Sequence, residues 1–197
     1  MDRRNIKNIR IIKRLLESPD GSWTMYGLSK VSGASQPFGW KLVHSLVAKG
    51  LLSGTKVIDI EGLARYAAKL LPKPRSMTEF YVPEPVKFLR KNVKNYALTT
   101  YFGENLVTHH LFPTRCDAYI LEADLKRLKP MIFKEGLLGK GNIRLMVPVD
   151  TNIIDEARRI RGTLVVSQGQ LLIDLVREGG VCMEAFEMMV SQHVRKE

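Results

Sequence analysis

The chain has 197 residues, 45% apolar and 26% charged, an ordinary globular balance with room for one large domain or two small ones. No apolar run approaches the roughly 20 residues that span a bilayer. The opening MDRRNIKNIR lacks the apolar core and cleavage site of a secretory signal, so a cytoplasmic protein is expected, with Cys116 and Cys182 as reduced thiols. The net charge of +11 is unevenly spread: residues 1–75 hold 14 basic and 5 acidic residues, a net of +9, and residues 76–197 hold 17 and 15, a net of +2. A polyanion partner for the first part is the simplest reading, because each Lys or Arg placed near a phosphate releases condensed counterions.

In chain order, Asn5 to Glu17 reads as a helix with Ile6, Ile9, Ile12, Leu15 and Leu16 inward. Arg3, Arg4, Lys7, Arg10, Lys13 and Arg14 surround that stripe. Ser18-Pro19-Asp20-Gly21 supplies turn chemistry, and Trp23 falls at a short strand position before the next helix. Met25 to Ser32 forms that second helix, with Leu28 and Val31 on one side. Gly33 can take the left-handed conformation of a helix end, Ser35 can cap a third helix, and Pro37 sits harmlessly in its first turn. The third helix, Gln36 to Lys49, turns Leu42, Val43, Leu46 and Val47 to one face and Gln36, Trp40, Lys41 and His44 to the other. After Lys49-Gly50-Leu51-Leu52, the segments Ser53–Lys56 and Val57–Ile60 read as a short two-stranded wing with Lys56 near its tip. Asp59 can cap a helix over Glu61–Leu71 that buries Leu63, Ala67, Leu70 and Leu71.

Two short helices in this arrangement, the second with a polar and basic outer face, suit the major groove of DNA. Their spacing and the ending Lys-Gly-Leu-Leu resemble the winged-helix repressors. The residues expected at duplex DNA are Ser35, Gln36, Phe38, Trp40, Lys41, His44 and Lys56, with Arg3 and Arg4 on the first helix. The expected fold is α+β: a winged helix-turn-helix domain over 1–71, a proline-rich linker over 72–76, and a mixed α/β domain over 77–197.

In the second part, strands are expected at Glu79–Tyr81, Ala118–Leu121, Ile143–Val147 and Thr163–Val166. Helices are expected at Val86–Lys91, Tyr96–Val107, Glu122–Leu128, Gln168–Glu178 and from Val181 to Val194, with Ser167 as a cap and Gly179-Gly180 as a break. The last helix carries Val181, Ala185, Met188, Met189 and Gln192 along one part of its surface, a core stripe rather than a ligand site. Residues 134–142 read as a loop. Its glycines do not make a phosphate loop, since Asn142 follows Gly141 where Lys and Ser/Thr are needed. His109-His110 has no partner at metal-ligand spacing. Asp117, Glu122 and Asp124 are close in sequence and are the sole support for an alternative reading, a nucleotide-acting enzyme with a nucleic-acid-binding first domain. A solvated acidic edge, or a helix cap at Asp117, is the simpler expectation.

Several stretches taken in order resemble the AbiEi family of abortive-infection antitoxins: Asp59-Ile60-Glu61-Gly62-Leu63-Ala64, Tyr96 to Phe102, Asn142 to Pro148, and above all Val165-Val166-Ser167-Gln168-Gly169-Gln170 leading to Asp174-Leu175. Beyond Asp174-Leu175 the chain reads Gly179-Gly180-Val181-Cys182, without the Gly-Arg usual in the family. The resemblance implies a DNA-binding autoregulator whose C-terminal domain counters a toxin of nucleotidyltransferase type; from the residues themselves, no enzymatic activity, metal or cofactor is expected. Gln170 and Asp174 lie four apart on one helix face and are expected to form a partner contact or structural anchor, with Asp174 tied to backbone N–H groups of a neighbouring loop.

Overall fold

The computed structural model describes residues 3–135, 137–138 and 141–194. In chain order the elements are α1 (Arg3–Glu17), α2 (Met25–Ser32), α3 (Gln36–Ala48), β1 (Leu52–Ser53), β2 (Lys56–Val57), α4 (Ile60–Leu70), β3 (Ser76–Tyr81), α5 (Pro85–Asn92), β4 (Tyr96–Thr99) and α6 (Thr100–Val107). There follow β5 (Cys116–Ile120), α7 (Glu122–Glu135), β6 (Leu137–Leu138), β7 (Ile143–Val147), α8 (Asn152–Asp155), β8 (Arg158–Ile160), β9 (Thr163–Val165), α9 (Gln168–Glu178) and α10 (Val181–Val194). The fold is α+β. It forms two compact units, one of residues 1–71, 168–179 and the stretch from Phe186 onward, the other of residues 72–167 and 180–185.

In the first unit, α1 packs against α2, α4 and α9, and α2 against α3. Thr24 caps α2 by accepting from the Gly27 N–H at 3.1 Å, and Gly33 (φ 63°) ends it. Ser35 stands at the N-cap of α3 in extended conformation but makes no side-chain capping bond, contrary to expectation. Asp59 does cap α4, its Oδ1 accepting from the Gly62 N–H at 2.7 Å. Strands β1 and β2 pair antiparallel, Leu52 with Val57 and Ser53 with Lys56. The chain before α2 joins β2 through a bridge between Asp20 and Lys56 rather than through Trp23, whose indole N–H instead donates to the Arg14 carbonyl at 2.9 Å.

The helical phase of α1 is as read, but its buried face is broader, since α2, α4 and α9 all cover it. Ile11 is buried, and Lys13, expected on the solvated side, is 1% exposed. Its backbone lies against Gly169 of α9, where an added Cβ would overlap the Lys13 carbonyl oxygen. Ile6 is only half-buried, and Val31 and Val47 are exposed rather than inward. In α4, Leu63 and Ala67 are buried, while Leu70 and Leu71 are half-buried. On α10 the buried residues are Cys182, Ala185, Phe186 and Met189; Val181, Met188 and Gln192 are exposed, so the apolar stripe runs one position away from the one read.

The second unit is built on a mixed sheet of order β6-β3-β7-β5-β4-β9-β8. Strand β3 is antiparallel to β7, β5 parallel to β7, β4 antiparallel to β5 and parallel to β9, and β8 antiparallel to β9. Residues 96–99, read as the start of a helix, are a strand. All four are buried between β5 and β9, and a short apolar run covered on both faces carries no period that separates strand from helix. Residues 134–135 continue α7, and Leu137–Leu138 pairs with Phe80 and Tyr81, so the expected loop is shorter; Gly136, Gly139 and Lys140 lie outside the described residues. The short α8 and β8 were not anticipated. No helix among the described residues is long and apolar enough to cross a membrane.

Candidate nucleic-acid interface

Helix α3 buries Leu42, Val43 and Leu46 and turns Gln36, Trp40, Lys41 and His44 to solvent, the division that a 3.6-residue period requires. Ser35 and Lys56 are exposed, as is Arg4 of α1; Phe38 is half-buried; the Arg3 side chain lies outside the described residues. Trp40 and His44 form one unit. Their ring centroids are 3.6 Å apart, and His44 Nδ1 lies 2.9 Å from the Trp40 carbonyl oxygen. A carbonyl only accepts, so Nδ1 carries the hydrogen and a neutral His44 offers Nε2 outward as an acceptor.

Tyr26 and Lys30 of α2, not singled out in the sequence, add to the exposed surface of the helix pair. The Lys30 ammonium stands 6.0 Å from the Tyr26 ring centroid, and the signal was their spacing of four. At β2, Lys56 is bridged to Asp20. The Asp20 carboxyl is held below its usual range, first by the Ser22 backbone N–H and only lastly by the charge of Lys56.

Gln170 and Asp174 are both buried, and Gln170 Nε2 donates to Asp174 Oδ1 at 2.9 Å. The bond lies within α9, a helix that packs on α1 and α4.

The acidic residues of the second unit do not converge. Asp117 is neither solvated nor a cap. It is a fully buried strand residue whose carboxylate accepts from Arg115 Nε at 2.7 Å, Arg115 Nη2 at 3.0 Å, Arg144 Nη2 at 2.7 Å and Thr100 Oγ1 at 2.5 Å. Strand register creates this: Thr99 pairs with Asp117 across β4 and β5, and Asp117 with Arg144 across β5 and β7. Glu122 instead pairs with Lys126 at 2.9 Å and Asp124 with Arg127 at 2.8 Å, both at helical spacing. Among the described residues no three His, Cys, Asp or Glu side chains form a metal-binding group. His109 and His110 are exposed.

Cys116 and Cys182 are buried and form no disulfide. Burial, and then the neighbouring Asp117 charge, pushes the Cys116 thiol far above its usual range. A thiol reagent such as Ellman's is therefore expected to react with neither cysteine in the native protein and with both after unfolding. Rapid native labelling would contradict this burial.

Comparison with models of protein families, with curated proteins and with solved structures finds no match to the chain. What fold and surface define is a class: an α+β protein whose basic N-terminal segment exposes a polar and aromatic helix face.

Proposed function

We propose that residues 1–71 form a winged helix that binds duplex DNA, with α3 in the major groove and the β1–β2 hairpin as its wing. The observation that carries the reading is the α3 surface: Gln36, Trp40, Lys41 and His44 lie on the solvent side of one helix, in a segment with a net charge of +9. Gln36 offers both a donor and an acceptor to a base edge, Lys41 a phosphate contact, and the Trp40–His44 stack a rigid apolar surface for a thymine methyl or a sugar. The protein acts as a transcriptional regulator by binding, without chemistry. In keeping with its resemblance to the AbiEi antitoxins, the C-terminal part of the chain, residues 77–197, meets a protein partner, a toxin of nucleotidyltransferase type.

Affinity for duplex DNA is expected to fall steeply as salt rises, and Lys41→Ala to lower the slope of log affinity against log salt by about 1. Fluorescence anisotropy on a labelled duplex reads both. A wild-type affinity that stays flat from low to moderate salt would sink the proposal.

A further inference from the structure

A second set of cations gathers in the other unit, from segments about 70 residues apart in sequence. Strand β8 is the last strand of the sheet and joins β9 through a two-residue turn, Arg161-Gly162, between the paired Ile160 and Thr163. Both turn residues have positive φ, 49° and 77°. Such a turn favours Asn-Gly, so an arginine at its first position is held at a conformational cost. Two further guanidinium groups approach the same turn. Arg159 Nη1 donates to the Gly162 carbonyl at 3.2 Å, and Arg90 Nη2 of α5 lies 3.9 Å from where a Gly162 Cβ would stand. Arg90, Arg159 and Arg161 are exposed, and none makes an ion pair among the described residues.

Cationic side chains on an edge strand guard it against pairing with another chain. That accounts for charge on β8 but not for Arg90 approaching from a helix. Like charges that approach one turn without ion-pair partners among the described residues repel, and an anion seated there removes the repulsion. Arg90 also lines a cleft of about 470 Å³, walled by Pro85, Val86, Lys87 and Phe102, with Glu84 bonded to Lys87 at 3.0 Å. The volume suits a small ligand, and its apolar wall includes one aromatic ring. A ligand that spans both features has a phosphate at one end and a flat, apolar-faced body at the other.

We propose that this turn and cleft bind a nucleoside phosphate, with the phosphate between Arg90 and Arg159 and the base against Phe102. The site is separate from the α3 surface and does not depend on the duplex reading. The test is equilibrium dialysis of the full chain with AMP, inorganic phosphate and a 5′-phosphorylated single-stranded tetranucleotide. AMP is expected to bind saturably and about tenfold or more tighter than inorganic phosphate. Arg90→Gln with Arg159→Gln is expected to weaken AMP about tenfold or more, since charge-assisted bonds to phosphate are the strong ones. Both positions are exposed, and an unchanged melting temperature confirms that the doubly substituted protein folds. A larger loss for the tetranucleotide than for AMP identifies the physiological source as a strand end, and the reverse a free nucleotide; either supports the site. No saturable AMP binding, AMP binding untouched by the double substitution, or phosphate binding as tight as AMP overturns it.

Discussion

Replacing Asp117 with alanine is expected to destabilise the protein by about 3–5 kcal/mol, read from the shift of a urea unfolding midpoint at constant slope. The carboxylate is fully buried, while its partners Arg115 and Arg144 are 23% and 14% exposed at the side chain. Removing the carboxylate therefore leaves two largely desolvated cations side by side. Removal of one partner costs far more than the intact pair contributes, because the remaining charge stays out of water. Two further groups depend on Asp117. Thr100, at φ 46°, is a β-branched residue in a conformation it disfavours, and its hydroxyl donates to this carboxylate. Arg115, oriented by Asp117, also stands 5.2 Å from the Tyr101 ring centroid. Asp117→Asn keeps the shape and loses the charge, so a comparable loss is expected from it. A cost below about 1 kcal/mol for both substitutions would mean that the cluster is solvated, as surface ion pairs are.

This cluster marks the limit of what the sequence discloses. Where one helix period decides the outcome, residues could be sorted: the exposed row of α3 and the bounds of α9, α10 and β7 follow from spacing and from glycine breaks. Asp117 could not be sorted that way. Its carboxylate is met by Thr100 and Arg144, brought beside it by the neighbouring strands, and register between strands far apart in sequence leaves no mark within either one. The same holds for Lys13, whose burial depends on α9, about 155 residues further along the chain, laying Gly169 against its backbone. Val47 errs in the opposite direction: apolar residues at the margin of a helical stripe are often exposed, and periodicity alone does not set the width of the buried face. The arginines near Gly162 were missed for the reason Asp117 was misplaced, since Arg90 and Arg159 are neighbours only after folding.

The α3 helix allows stability and recognition to be separated. Leu46 is fully buried, and its carbonyl accepts from both Lys49 and Leu51 N–H groups where the helix ends. Truncating it to alanine removes apolar contacts with the helices packed around it and leaves a cavity into which the surrounding structure relaxes only in part. The expected cost is about 2–5 kcal/mol. Gln36, ten residues earlier in the first turn of the helix, is exposed, and Gln36→Ala is expected to change stability by less than about 0.5 kcal/mol while relaxing base preference at one position. Thermal unfolding and duplex titration of both variants, below the melting temperature of the weaker one, read the two quantities apart. Leu46→Ala should melt early yet keep the wild-type salt slope in its folded fraction. Gln36→Ala should melt normally and select a broader set of duplexes. A Gln36→Ala protein that melts early and keeps its base preference would place this residue in the core and move the recognition surface off α3 altogether.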